Sequence, residues 1–222
     1  MAGDWARYTI DCGNGGYFDL TVRAASARGG GRIRFVALDQ TIATVDVPPT
    51  GGDDTFRDLR VPSVYLNPGE LSLLVLTEAP GLAFNTFLLK PADKPPSRYE
   101  AALAFRRGVA GLAGFGEAGH PLGYVQNLGR TGSGLTFGVS AQAGGPYTLR
   151  IHYASNQKEP VALSVAAGGD NAVMLPMPPT AGQWTDLDMP VTLAAGGNRV
   201  LIEGHEKEWN SVQIDHIEVL AR

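Results

Sequence analysis

The 222-residue sequence has little cysteine, little charge and no long apolar run. Its single cysteine, Cys12, excludes an intramolecular disulfide and a zinc site built from several cysteines. Charged residues make up 18% of the chain and the formal net charge is −4, so no basic field is present to attract nucleic acid or an anionic membrane. No apolar segment is long enough to span a bilayer, and the N-terminus lacks the charged and apolar regions of a signal peptide.

Familiar catalytic motifs are missing too. The sequence has no Gly-x-Ser-x-Gly elbow, no His-Glu-x-x-His zinc motif and no phosphate-binding loop. The histidines do not have the spacing of a metal site; they are His120, His152, His205 and His216. A jelly-roll glycosidase needs two carboxylates close together in a cleft. Two pairs have a suitable spacing, Asp186 with Asp188 and Glu206 with Glu208, and we interpret both as solvated surface charges.

Glycine and proline, in contrast, are abundant. The 29 glycines and 15 prolines are about a fifth of the chain, against roughly 12% in an average protein. Between the turns, short stretches alternate apolar and polar residues, at 18–24, 33–37, 71–75, 147–153 and 200–202. This pattern predicts an all-β chain with a β-sandwich or jelly-roll fold. One stretch, residues 99–109, fits either a helix or an edge strand.

A proline-rich stretch divides the sequence. Lys90–Arg98 holds three prolines flanked by charges, a composition that continues neither a helix nor a central strand. It predicts a linker at residues 92–98, between a first domain at 1–91 and a second at 99–222.

The two sides of this linker repeat one another. Four segments recur in order: GGYFDLTVRAAS at 15–26 with GGPYTLRIHYAS at 144–155, VPPTGG at 47–52 with MPPTAG at 177–182, VYLNPG at 64–69 with VTLAAG at 191–196, and FNTFLL at 84–89 with WNSVQI at 209–214. We therefore predict two β-sandwich (jelly-roll) domains, the first lacking its N-terminal strands. Either the first copy is a shortened sandwich or the chain is cut from a longer polypeptide, which we favour.

Aromatic residues beside side-chain amides are the candidate binding residues. Trp209 directly precedes Asn210 after a polar loop, and such a pair offers a flat apolar face for a sugar ring and hydrogen bonds for its hydroxyls. Tyr124 and Asn127 lie in a glycine-flanked loop that can bring a second ring and amide nearby. The alternative for Trp209 is that it caps the core beneath its loop.

Two other sequence features complete the candidates. Phe84–Asn85 is the first copy's equivalent of the Trp209–Asn210 pair, whereas Trp184 begins a strand and is expected to pack in the core. Glu100 opens the second copy and Asp215 lies in its final strand. First and last strands of a sandwich often run side by side, so these carboxylates would repel unless a cation, for which Ca²⁺ is the candidate, lay between them.

Residues 98–222 resemble the non-catalytic carbohydrate-binding modules of family 35 and the related family 6. The segments that carry this resemblance are YEAALA, GYVQNLG, AGGPYTLRIHYAS, LPMPPTAGQW, VTLAAGGNRVLI and WNSVQIDHIEV. The first copy, from GDWARY through DLTVRAAS, PPTGG and FNTFLL, is similar to the C-terminal two-thirds of a family 6 module. The resemblance implies jelly-roll sandwiches that bind polysaccharide beside a catalytic domain, in an extracellular or periplasmic location.

The resemblance also implies site residues. The sugar site of the second copy would contain Tyr124, Trp209 and Asn210, and that of the first copy Trp5 or Tyr8 with Asn85.

Modules of this family also hold a structural Ca²⁺ near the first and last strands. Glu100 and Asp215 match two of its ligands, whereas Ala102 stands where a second glutamate is usual. In the first copy Phe87 stands in place of the acidic ligand of the last strand, so no calcium is expected there.

We therefore predict a pair of carbohydrate-binding modules without catalysis of their own. Their partners would be a polysaccharide or oligosaccharide, and a catalytic domain or partner chain that covers the open sheet edge of the first copy. One alternative is a small jelly-roll glycanase or lyase that uses Glu206, Glu208 or Asp215. Another is a structural role, in which the first copy braces a neighbouring domain or subunit. The sequence leaves the identity of the sugar open.

Overall fold

The structure is a computed structural model that describes residues 4–78, 81–206 and 212–222. Nearly all regular elements in these ranges are β-strands, which confirms the all-β prediction. The chain divides into two units, Met1–Gly13 with Tyr17–Pro95, and Asn14–Gly16 with Pro96–Arg222. Within the described ranges, no helix has the length and apolar character needed to cross a membrane.

The first unit contains seven strands within the described ranges. They are β1 (Trp5–Asp11), β2 (Gly16–Ala25), β3 (Gly31–Ala37), β4 (Gln40–Val47), β5 (Arg57–Leu66), β6 (Glu70–Thr77) and β7 (Ala83–Pro91). They form two sheets, ordered β1-β6-β3-β4 and β5-β2-β7. Alternate residues of both sheets point inwards and form the core. Its fully buried members include Leu20, Val22, Ile33, Phe35 and Leu73.

The second unit contains eleven strands within the described ranges. They are β8 (Arg98–Glu100), β9 (Phe105–Arg107), β10 (Gly111–Ala113), β11 (Tyr124–Gln126), β12 (Gly134–Ala141), β13 (Gly145–Ser155), β14 (Val161–Ala167), β15 (Val173–Met177), β16 (Thr185–Leu193), β17 (Gly196–Gly204) and β18 (Val212–Ala221). One sheet has the order β15-β14-β17-β12-β9. The other has the order β10-β11-β18-β13-β16, with β8 also paired to β18.

The sheet orders confirm the internal repeat. The path β1-β6-β3-β4 of the first unit matches β12-β17-β14-β15 of the second, and β5-β2-β7 matches β16-β13-β18. Strands β8 to β11 have no counterpart among the described residues of the first unit. In the second unit these strands extend both sheets, since β9 pairs with β12, and β8 and β11 pair with β18. In the part of the first unit that the structure describes, the opening strands are therefore missing, as the sequence predicted.

The stretch 99–109, for which a helix and an edge strand were both open, forms two short strands. A single 3-10 turn, Ala101–Leu103, separates β8 from β9. Tyr99 of β8 is fully buried. Its hydroxyl accepts a hydrogen bond from the Ser140 N–H of β12 at 2.8 Å and so joins the two sheets. The alanines that resemble a helix instead fit a buried turn, because Ala101 and Ala102 are both buried.

The last strand of each unit carries a β-bulge at the same place. In β18 the extra residue is Asp215, between Ile214 and His216. In β7 the extra residue is Asn85. A bulge adds one residue to one strand only and re-aims the side chains beside it. Asn85 and Asp215 therefore occupy equivalent positions in the two units.

This equivalence corrects one part of the sequence comparison. The match of FNTFLL with WNSVQI paired Asn85 with Asn210. Separately, the family resemblance placed Phe87 where the acidic residue of the last strand would be. The strand pairing instead places Asn85 at the position of Asp215. Sequence alignment failed here because short apolar strands can be aligned equally well with several offsets. The hydrogen-bonded pairing of the strands allows only one register.

Candidate functional site

One face of the six-stranded sheet of the second unit carries polar and aromatic side chains. Along β13, Leu149, Ile151 and Tyr153 are buried in the core. Arg150 and His152 alternate with them and point to the opposite face, which we call the outer face. The sequence alternation predicted this separation, and it delivers two side chains with hydrogen-bonding nitrogen atoms to one surface.

Five aromatic or imidazole rings gather on the outer face, and we call this group the ring cluster: His120, Tyr124, His152, Trp184 and His216. Trp184 lies at its centre, directly before β16. The centroid of the Trp184 ring is 4.5 Å from that of His120 and 5.2 Å from that of Tyr124. His152 stacks on Trp184 at 5.5 Å with an interplanar angle of 11°. On its other side, His152 stacks on His216 at 4.7 Å.

Two carboxylates orient the three imidazoles. Asp215 contacts His120 Nδ1 at 2.6 Å with one oxygen and His216 Nδ1 at 2.7 Å with the other. Asp186 contacts His152 Nδ1 at 2.7 Å. An ionised carboxylate only accepts hydrogen bonds, so each Nδ1 carries the proton. When such a ring is neutral, its Nε2 is a hydrogen-bond acceptor.

Asp215 is the most enclosed charged group of the site, with 2% of its surface exposed. Burial raises the pKa of this carboxyl, but hydrogen bonds from His216 and His120 lower it by more, so the net pKa lies below its ordinary value. Asp215 therefore stays ionised at neutral pH and holds both imidazoles in place.

Exposed ion pairs border the ring cluster on β13 and β16. Arg150 donates to both carboxylate oxygens of Asp188, at 2.8 and 3.0 Å. It also lies 3.8 Å from Asp186 and 3.7 Å from Glu218. The hydrogen bond from Arg150 lowers the pKa of the Asp188 carboxyl. The surface thus offers fixed acceptors and donors beside aromatic rings.

The loop predicted to bind sugar lies at one end of the same sheet. Tyr124 begins β11, and its ring lies directly over Gly114, where no side chain would fit. Asn127 follows β11 with a φ of 65°, a left-handed conformation that asparagine tolerates well. Backbone hydrogen bonds join this loop to the segment after β17, because Glu206 N–H donates to Gly129 at 2.8 Å. Tyr124 and Asn127 therefore lie on a loop tied to the segment that leads towards residue 209.

Trp209 and Asn210, also predicted to bind sugar in the second copy, lie outside the described residues. The same holds for Glu208 of the enzyme hypothesis. Their roles stay predictions.

The predicted residues of the first unit have separate surroundings. Trp5 is 66% exposed and, with Leu82 and Phe84, lines a shallow pocket of about 200 Å³. The ring of Tyr8 packs edge-on against Phe87 at 5.1 Å. Asn85 is exposed on the bulge of β7. The equivalence to Asn210 that suggested Asn85 is wrong, and sugar binding by these residues stays a prediction.

The two predicted calcium ligands do lie side by side, but an arginine lies against both of them. Arg98 Nε donates to Glu100 at 2.6 Å, and Arg98 Nη2 donates to Asp215 at 3.1 Å. Ala102 supplies no side-chain ligand. Across the part of the chain that the structure describes, no group of three or more His, Cys, Asp or Glu residues is arranged to hold a metal. These side chains, as placed, fit a guanidinium rather than Ca²⁺, and calcium binding stays a prediction.

The sequence did not single out the ring cluster as a site. Trp184 was expected to pack in the core, and the structure places it half-buried among three other rings on the outer face. The alternation in residues 147–153 places His152 opposite the apolar side chains, but it does not make His152 a neighbour of His216. The sequence did indicate that both histidines lie on strands of the second copy. Their contact depends on the pairing of β13 with β18, which periodicity alone does not specify.

The fold and the site together define a class. Two packed antiparallel sheets with a mixed aromatic and polar patch on one outer face are typical of small all-β binding domains. Comparison with known proteins shows what the first part of the chain is similar to. Residues 1–85 match the model of the carbohydrate binding module (family 6).

A solved structure shows the same fold over part of the chain. The family 35 carbohydrate binding module from Clostridium thermocellum is 20% identical, with a TM-score of 0.51, over 56% of this chain and 98% of that module. A family 35 module from an environmental isolate is 19% identical, with a TM-score of 0.46, over 56% of this chain and 93% of that one. The family 6 match confirms the predicted resemblance over residues 1–85, and the likeness to the Clostridium thermocellum module confirms the predicted β-sandwich fold.

One similar enzyme was also found. The chain is 39% identical over 71 residues to the beta-agarase AgaO of Microbulbifer thermotolerans. The match covers 30% of this chain and 6% of that enzyme, so it concerns a small part of a much longer protein.

Proposed function

We propose that the second unit binds carbohydrate at the ring cluster and the ion pairs that border it. The observation that carries this proposal is the pair of half-buried rings, Tyr124 and Trp184, 5.2 Å apart on the outer face of the sheet. Partly exposed aromatic rings pack against the C–H face of a sugar, and fixed polar groups beside them bond its hydroxyls. The match of the first unit to a carbohydrate-binding family supports this class of ligand.

The polar groups favour a hydroxyl-rich ligand over a strongly charged one. Arg150 already contacts both oxygens of Asp188, so little positive charge remains for an anionic sugar. Carboxylate oxygens of Asp186 and Asp188 accept hydrogen bonds, and the imidazoles add acceptors at Nε2 when neutral. A sugar hydroxyl both donates and accepts, which suits such a surface.

We further propose an accessory role beside an enzyme that acts on polysaccharide outside the cytoplasm, in an extracellular or periplasmic setting. The likeness to a segment of a beta-agarase supports this role and makes agarose the first polysaccharide to test. A non-catalytic unit is favoured because the carboxylates of the site are already engaged. Asp186 and Asp188 pair with Arg150, and Asp215 accepts hydrogen bonds from both neighbouring imidazoles.

The test of the site is affinity electrophoresis of the full chain through gels that contain agarose, galactan, xylan, mannan or glucan. Trp184→Ala should weaken retardation by at least about tenfold, because truncating a central aromatic of a binding site costs on the order of 2 kcal/mol. Phe105→Ala is the matched control, since Phe105 is a 44% exposed aromatic on β9 of the other sheet. It should leave retardation unchanged.

Circular dichroism of each variant separates loss of binding from loss of fold. Retardation that Trp184→Ala leaves intact would refute binding at the ring cluster. Loss on Trp209→Ala, with none on Trp184→Ala, would place the site in the loop that the sequence predicted. Reducing-sugar release by the full chain, abolished by Asp215→Asn, would refute the non-catalytic role.

A further inference from the structure

The guanidinium of Arg98 lies between two carboxylates from different strands. Arg98 Nε and Nη2 donate to the two oxygens of Glu100, at 2.6 and 3.3 Å, as a two-pronged pair. The same Nη2 donates to Asp215 Oδ2 at 3.1 Å. Paired, charge-assisted bonds of this kind are directional and match the planar guanidinium.

The position of these bonds matters for the short strand β8. This strand has only three residues, and it pairs with β18 through Arg98, Tyr99 and Glu100. Glu100 belongs to β8 and Asp215 to the bulge of β18, so the contacts of Arg98 with both side chains join the two strands.

Burial makes compensation of the two carboxylates necessary at this place, and His120 and His216 supply part of it for Asp215. Asp215 is almost fully enclosed, and the Glu100 side chain is only 20% exposed. Two ionised carboxylates in such surroundings are costly unless a cation or several donors compensate them. The Arg98 side chain is 41% exposed, so its charge keeps contact with water while it meets both acids.

We infer that Arg98 is the built-in cation of the second unit: it neutralises Glu100 and Asp215 and holds β8 on β18 without a divalent ion. Position 102 agrees with this inference, because an alanine there adds no further acidic ligand. Glu100 and Asp215, which the family resemblance assigned to calcium, instead bind Arg98 of the same chain.

The first experiment uses the unmodified full chain. Its thermal unfolding and the hydrogen exchange of residues 98–104 are measured after treatment with EGTA and then with added Ca²⁺. We expect the same melting temperature and the same protection in both conditions. A rise in melting temperature or in protection of β8 on addition of Ca²⁺ would overturn the inference in favour of a calcium site.

The second experiment removes the charge. Arg98→Met keeps much of the stem, and it should lower the melting temperature by about 4 °C or more and the protection of β8 at least tenfold. Arg98→Lys keeps the positive charge but not the planar guanidinium that donates two parallel hydrogen bonds. It should therefore recover part of the lost melting temperature and part of the lost protection of β8. Arg107→Met is the control, because Arg107 forms an exposed pair with Glu203 on the other sheet.

Two results would contradict the charge-based role. One is an Arg98→Met variant no less stable than Arg107→Met. The other is an Arg98→Lys variant no better than Arg98→Met. If Arg98→Met does not fold, the comparison of the unmodified chain in EGTA and in Ca²⁺ still decides the question.

Discussion

Replacing Tyr99 with phenylalanine removes one oxygen atom from the interior of the second unit and leaves the ring in place. Tyr99 is fully buried, and its hydroxyl accepts a hydrogen bond from Ser140 N–H at 2.8 Å. The hydroxyl also donates to the Ser140 carbonyl at 3.4 Å. After the change, the Ser140 N–H faces an apolar ring edge and has lost this partner.

The expected loss follows from that N–H group. Leaving a buried donor unsatisfied costs about 1–3 kcal/mol, and we take about 2 kcal/mol here because Ser140 is only partly buried. The unit spans Pro96–Arg222, for which the typical unfolding entropy per residue converts this loss into a fall in melting temperature of about 7 °C.

Urea unfolding and calorimetry of the full chain measure the effect, with Tyr147→Phe as the matched control. The Tyr147 hydroxyl donates to the carbonyl of Ala143 at 2.9 Å, only four residues earlier in the turn that precedes β13, so its loss should cost under about 1 kcal/mol. If Tyr99→Phe is as stable as the unmodified chain, or no worse than Tyr147→Phe, the hydroxyl does not join the sheets in the way argued above.

Two further predictions concern titrating groups. Burial, and to a smaller extent the charge of nearby Asp11, raises the pKa of the Cys12 thiol to about 11. Iodoacetamide at pH 8 should therefore label Cys12 on the order of a hundredfold more slowly than a free cysteine. Labelling of Cys12 as fast as a free cysteine would contradict this. The lowered pKa of Asp215 stabilises the fold fully above the unfolded-state pKa of 3.8, and this contribution is lost as the pH falls through the lower native pKa. Urea midpoints between pH 6 and pH 2 should therefore fall less steeply for Asp215→Asn than for the unmodified chain, and equal slopes would refute the assignment.

Much of the fold could be predicted from local pattern. Alternation in residues 147–153 specified which side chains of β13 enter the core, because successive strand residues point to opposite faces. The recurrence of GGYFDLTVRAAS as GGPYTLRIHYAS then implied that β2 and β13 are equivalent, and the strand orders show that each has a neighbouring strand on both sides.

The candidate site was less accessible because it depends on pairing between distant residues. His152 meets His216 only after β13 has paired with β18, and the bulge at Asp215 sets which side chains of β18 face outwards. Trp184 lies before the regular part of β16, where periodicity no longer assigns a face. The same limit explains the misplaced match of Asn85 with Asn210. No local signal marks a one-residue bulge in an apolar strand.

The central position of β18 has a consequence for the order in which the second unit acquires its structure. This strand separates β13 from β11 and β8, so β8 and β11 have no partner that joins them to the rest of their sheet until Val212–Ala221 has been synthesised. At typical elongation rates, about 5–20 s pass between the synthesis of β10 and that of β18. The first unit completes its own equivalent pairing, β2 with β7, at Pro91. Folding during translation should therefore proceed unit by unit, with β8 and β11 lacking their partner β18 for most of the time that the ribosome spends on the second unit.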